Sequence, residues 1–318
     1  MNRSFRPPAR GRSPIPTRII RKGLILSGLA LLLAVLAAGA VAGPESPAPM
    51  TSGYAPVNGL RIYYEIHGPE DSRQVPLLLL HGGGSTIDTS FGEMLPLLAA
   101  RRQVIAFEQQ GHGRTADIPG RPFTFAQSAA DAVALLRYLK IATADLFAYS
   151  NGGHIALQIA LDHPEAVRKL IIESAMSDRQ GTDPAFWESF QGAKLEEMPA
   201  ELRAAYLATA PRPEDLPAFF AKSVQRMVDF RGWTAAEISS IAAPTLVVIG
   251  DHDIVRPEHA VALFRLLPDA RLAILPGTDH MTVVKRSAWL LPMIDEFLDT
   301  PMPQGPGRAP EEPPKLPR

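Results

Sequence analysis

The sequence predicts an α/β fold, a mostly parallel sheet with helices on both faces, opened by an antiparallel hairpin and carrying a small helical cap. Three observations lead there. Short apolar runs, mostly β-branched or aliphatic as strands buried on both faces should be, alternate with stretches of helical spacing. One region, about 177–240, lacks a strand pattern altogether. A serine, an aspartate and a histidine follow closely behind three of the apolar runs, where a parallel sheet gathers its carboxyl ends.

Runs 54–57 and 60–67 flank Asn58-Gly59, the pair that favours a type I′ hairpin turn. Strands are then expected at 75–80, 104–107, 144–149, 167–173, 245–249 and 272–275, with helices at 91–99, 125–139, 152–161, 258–266 and 288–298. Repetition of strand, helix and strand implies parallel pairing, since consecutive parallel strands need a crossover. Between 177 and 240 the chain reads as short helices separated by Pro184, Pro199, Pro211, Pro213 and Pro217. This insertion is rich in aromatic residues and must bury one side against the sheet domain. Most of those rings are expected to form its own core, and the insertion is placed to roof a pocket.

The ends differ from this body. Seven cations and no acid occupy the first 42 residues, and removing them takes the formal charge from −1 to −8, which makes nucleic acid a poor partner for the body. Residues 23–43 are apolar throughout. That length suits a transmembrane helix serving as a membrane anchor, while Ala40-Val41-Ala42 suits cleavage of a signal peptide. Either reading places the body outside the cytoplasm, exported or tethered. The expected organisation is therefore a leader or anchor at 1–43, a Pro-rich linker at 44–53, a folded α/β domain at 54–299 with the helical cap at about 177–240, and a disordered tail at 300–318. The chain has no cysteine, so disulfides, thiol catalysis and cysteine-based zinc sites are excluded.

The chemistry gathers around Ser150 in Ala148-Tyr149-Ser150-Asn151-Gly152. A serine in a tight turn between strand and helix, with small residues on either side, is exposed in the manner of G-x-S-x-G, with Ala148 in place of the first glycine. A hydroxyl needs a base to become nucleophilic, and the base needs a carboxylate to hold its tautomer. Gly-Asp251-His252-Asp253 follows run 245–249, and Gly-Thr-Asp279-His280 follows run 272–275. Asp251 and Asp253 compete for the acid. His154 is read as packing or pocket lining, and His163, His252 and His259 as solvated. The glycine-rich turn His81-Gly82-Gly83-Gly84 is not followed by the Lys-Ser/Thr of a phosphate loop.

In these motifs, and in the order Ser, Asp, His, the chain resembles the α/β-hydrolase superfamily over about 54–299. The resemblance implies Ser150 as nucleophile, His280 as general base and Asp253 as the acid, with Asp251 shaping the turn. It implies an oxyanion hole from the N–H groups of Gly83 and Asn151, with Tyr149, Gly82 and Gly84 beside the substrate and His81 bracing the loop. Glu108-Gln109-Gln110-Gly111-His112-Gly113 resembles the family's structural turn after a strand, with Glu108 and Gln109 departing from the usual residues. The implied substrate is a small ester or lactone, as in enol-lactonases and cofactor-free haloperoxidase-like esterases. No metal or organic cofactor is implied, and oligomeric state is left open.

Overall fold

Asn58 and Gly59 both adopt positive φ, 50° and 81°, the geometry that turns β1 (Thr51–Val57) back along β2 (Leu60–His67). The computed structural model of the chain describes residues 50–70 and 74–301. Beyond the hairpin come β3 (Leu77–Leu80), α1 (Ile87–Phe91), α2 (Leu95–Ala99), β4 (Val104–Phe107), α3 (Phe125–Tyr138), β5 (Ala144–Tyr149), α4 (Asn151–Asp162) and β6 (Val167–Glu173). The insertion supplies α5 (Pro184–Glu188), α6 (Ala200–Thr209), α7 (Leu216–Asp229) and α8 (Ala235–Ser239). The sheet domain resumes with β7 (Thr245–His252), α9 (Pro257–Leu266), β8 (Ala270–Asp279) and α10 (Ser287–Asp299).

The strands form one eight-stranded sheet in the order β1-β2-β4-β3-β5-β6-β7-β8. β2 runs antiparallel to β4, and every pair from β4 through β3 to β8 is parallel. Alternation along the central strands divides the core in two. Leu77, Leu79 and Phe147 point to one face, packed with Phe91 of α1, Leu98 of α2 and Phe297 of α10. Leu78, Leu80 and Leu146 point to the other, packed with Leu136 of α3, Ile159 of α4 and Leu263 of α9. Each fully buried Leu or Phe contributes about 1.5–3 kcal/mol relative to exposure, so this two-sided covering holds the carboxyl edge of the sheet in place.

Two expectations need adjustment. The helix expected at 91–99 is two short helices, because Thr86 caps an earlier start and Pro96, lacking an N–H, sits in the first turn of a new helix. The last strand runs to Asp279, well past the apolar run, because pairing with β7 continues along polar residues. The insertion also closes on itself through a bridge between Asp178 and Gly232, with the Trp233 N–H donating to the Ser177 carbonyl at 2.8 Å.

The expectation of a transmembrane helix or membrane anchor is corrected. No helix among the described residues is long and apolar enough to cross a membrane, and the run 23–43 that suggested one lies outside them. The 1–43 leader lies outside them too, as do most of the 44–53 linker and most of the 300–318 tail.

Candidate active site

Ser150 stands between β5 and α4 with φ 55° and ψ −122°, a backbone conformation that L-residues rarely hold. Its N–H donates to the Glu173 carbonyl at 2.8 Å, which ties the turn to the end of β6. The helix start must approach the sheet closely here, since a β-carbon on residue 152 would run into the Leu80 carbonyl, leaving room only for Gly152. A serine that merely capped α4 would hydrogen-bond its backbone, and the Ser150 side chain makes no such bond. Its hydroxyl instead donates to His280 Nε2 at 3.0 Å.

The other ring nitrogen of His280 completes the relay. Nδ1–H donates to Asp253 Oδ1 at 2.9 Å, which leaves Nε2 as the acceptor facing Ser150. Asp253 is fastened further by the Val255 N–H at 3.1 Å and by the Ser174 hydroxyl. Burial pushes its carboxyl up, but hydrogen bonds from His280 and Ser174 and the attraction of His280 outweigh it, and the carboxyl ends below the ordinary range. Tyr149 fixes the histidine from the other side, its hydroxyl donating to the His280 carbonyl at 2.7 Å. Burial raises the Tyr149 pKa, so the phenol stays a donor.

Asp251 has a different part. It is exposed and accepts the Thr278 N–H at 3.0 Å, holding the end of β8 against β7 just before His280. That backbone hydrogen bond and another from Gly277 lower its pKa.

Two neutral histidines brace the glycine turn. His81 Nδ1–H donates to the Gly82 carbonyl at 2.8 Å and Nε2 accepts the Gln109 N–H at 3.1 Å. Burial brings its pKa down to about 4, so it carries no charge at neutral pH. His112 Nε2 accepts the Gly84 N–H at 3.3 Å, and Gly82 donates its own to Ser90 Oγ at 3.3 Å. The Gly83 N–H is thereby left as the donor of this turn with no acceptor among the described residues. A β-carbon on residue 83 would meet the Asn151 side-chain amide, so the two expected oxyanion donors belong to adjacent residues. Gly82, Gly83, Gly84, Tyr149, Ser150, Asn151 and His280 all line one cavity of about 690 Å³ under the cap.

Glu173 and Arg226 went unread in the sequence. Glu173 ends β6 beside the triad, fully buried, with neither carboxylate oxygen hydrogen-bonded, and burial followed by the nearby Asp253 charge pushes it up to about 8. Arg226 of α7 is buried between cap and sheet domain, donating to Gln109 Oε1 at 3.3 Å and Ser128 Oγ at 3.1 Å. His259, expected in solvent, is buried because its face of α9 meets the start of the insertion: the ring lies against Gly181, and its Nε2 accepts the Ser177 N–H at 3.0 Å. His154 packs among Phe125, Phe230 and Trp233. Glu108, in the turn after β4, accepts the Arg114 N–H at 2.5 Å and its guanidinium at 2.7 Å.

Serine, histidine and aspartate bonded in series at the carboxyl edge of a parallel sheet define a serine hydrolase. A model of the alpha/beta hydrolase fold matches residues 75–229. The chain is 29% identical over 247 residues to 2-hydroxymuconate semialdehyde hydrolase of Pseudomonas sp. (strain CF600), covering 70% of this chain and 86% of that protein. Among solved structures, a meta-cleavage product hydrolase from Pseudomonas fluorescens IP01 superposes with a TM-score of 0.67 at 20% identity, covering 78% of this chain and 97% of the other. Est816, described as an N-acyl homoserine lactone degrading enzyme, superposes with a TM-score of 0.60 at 25% identity, covering 78% and 100%. The chain has the α/β-hydrolase fold.

Proposed function

We propose that the protein hydrolyses carboxylic esters or lactones through an acyl-enzyme on Ser150. The observation that carries this reading is the Ser150, His280 and Asp253 relay opening into an apolar cavity. As Ser150 Oγ attacks the carbonyl carbon, its proton passes to His280 Nε2, and Asp253 stabilises the imidazolium. The carbonyl oxygen becomes an oxyanion held by the N–H groups of Gly83 and Asn151. In support, the Asn151 N–H opens a helix, where no intrahelical acceptor exists, and the other glycine donors of the turn are engaged. Collapse expels the alcohol, which takes its proton from His280. A water molecule, deprotonated by the same nitrogen, then releases the acid and restores the serine.

The test is labelling by a fluorophosphonate probe together with turnover of short p-nitrophenyl esters and simple lactones, run beside Ser150→Ala. Labelled, active wild type and an unlabelled, inert variant are expected. A folded wild type that neither labels nor turns over would end this reading. Carbon–carbon bond hydrolysis on the same triad is the second reading, separable by its products. Export remains a reading of the sequence: the cationic start, the apolar run and Ala40-Val41-Ala42 support cleavage after residue 42, which the mass of the exported protein would reveal.

A further inference from the structure

Polar groups in the cavity are unevenly placed. Donors cluster at its floor, around Gly83, Asn151 and the Ser150 and His280 pair, while the cap side is built from side chains such as Phe190, Met198, Leu202, Phe220, Val224 and Met227. The two serines on that side have committed hydrogens: Ser189 Oγ donates to the Phe186 carbonyl at 2.7 Å and Ser223 Oγ to the Phe219 carbonyl at 2.9 Å. No lysine or arginine lines the cavity among the described residues, and its one acid, Glu197, is exposed and adds negative charge. Ile254 and Met281, 37% and 47% exposed, extend the apolar surface where the cavity opens.

We propose that the site selects substrates whose acyl portion, beyond the reacting carbonyl, is uncharged and apolar, and discriminates against those that carry a carboxylate there. This rests on the reading of Ser150 as the nucleophile. A hydrocarbon chain gains by leaving water for the cap's side chains. A carboxylate carried up against the cap's side chains sheds its hydration and meets no lysine or arginine among the described residues, while the Ser189 and Ser223 hydroxyls there are already committed, which is costly even when solvent remains partly accessible.

The experiment compares kcat/KM for p-nitrophenyl octanoate and for the mono-p-nitrophenyl ester of suberic acid, which matches it in length and adds a terminal carboxylate. A ratio of about a hundredfold in favour of octanoate is expected, and a ratio under about tenfold overturns the proposal. Leu202→Arg places a cation on the lining and is expected to lower that ratio at least about tenfold. If that variant does not fold, Val224→Lys makes the same test one helix further along. An unchanged ratio in a folded variant overturns the proposal. An enzyme labelled at Ser150 that shows no charge discrimination defeats this inference alone, whereas one that neither labels nor hydrolyses either ester defeats the reading beneath it.

Discussion

The Ser174 hydroxyl donates to Asp253 Oδ2, the carboxylate oxygen that His280 leaves free. Ser174 is buried and follows Glu173, whose carbonyl holds the Ser150 N–H, so the turn after β6 secures both ends of the relay. Ser174→Ala should leave that carbonyl bond in place and remove one anchor of the acid. A hydrogen bond to a charged group is worth about 1.5–3 kcal/mol, and if most of that loss reaches the transition state, kcat/KM should fall about tenfold or more. Steady-state kinetics on a p-nitrophenyl ester checks this, and unchanged kinetics would show the anchor to be idle.

Ser150 holds a φ of 55° that its hydroxyl chemistry requires and its backbone resists. Glycine adopts such a conformation freely. Ser150→Gly should therefore abolish turnover and raise stability by about 1 kcal/mol, the lower end of the usual cost of a strained residue. Thermal unfolding followed by circular dichroism makes the comparison. A variant less stable than wild type would mean that the turn carries no such strain.

Gly152 tests the same turn from its other side. With the Leu80 carbonyl where a β-carbon would go, Gly152→Ala must push α4 away from β3. Backbone shifts forced by overpacking cost about 1–3 kcal/mol, and here they also displace the nucleophile. Loss of denaturant resistance together with loss of fluorophosphonate labelling is expected. Retention of both would show that the helix yields without effect.

Much of this site was legible because the relevant residues sit where a pattern breaks. Ser150, Asp253 and His280 each stand just beyond an apolar run, and a parallel sheet turns that position in sequence into a shared edge in space. Asn58-Gly59 was legible for a similar reason, its turn conformation being nearly inherent in the pair. Glu173 was not. An acid at the end of a strand run looks like the point where the chain meets solvent, and only the arrangement of β5, β6 and β7 shows that it is sealed in. His112 was hidden in a turn read as structural, since nothing local says that its ring reaches across 28 residues to the Gly84 N–H. Arg226 was hidden too, because a cation within an amphipathic helix ordinarily faces water.

Glu173 yields a prediction about pH. Its folded-state pKa is raised to about 8 by burial and then by Asp253, against an ordinary 4.5. With the folded pKa the higher of the two, the folded protein retains a proton that the unfolded chain gives up. The contribution to stability is thus fully present below about pH 4.5 and is lost as pH rises towards about 8. Across that window the slope is at most about 1.4 kcal/mol per pH unit. Glu173→Gln keeps the size and polarity of the neutral acid without a titrating proton, so its stability relative to wild type should improve steadily from about pH 5 to about pH 8. Urea unfolding of both proteins through that range, followed by tryptophan fluorescence, gives the difference directly. Parallel curves for the two would mean that the carboxyl is ionised in the folded state or reaches solvent, contrary to its buried and unpartnered position.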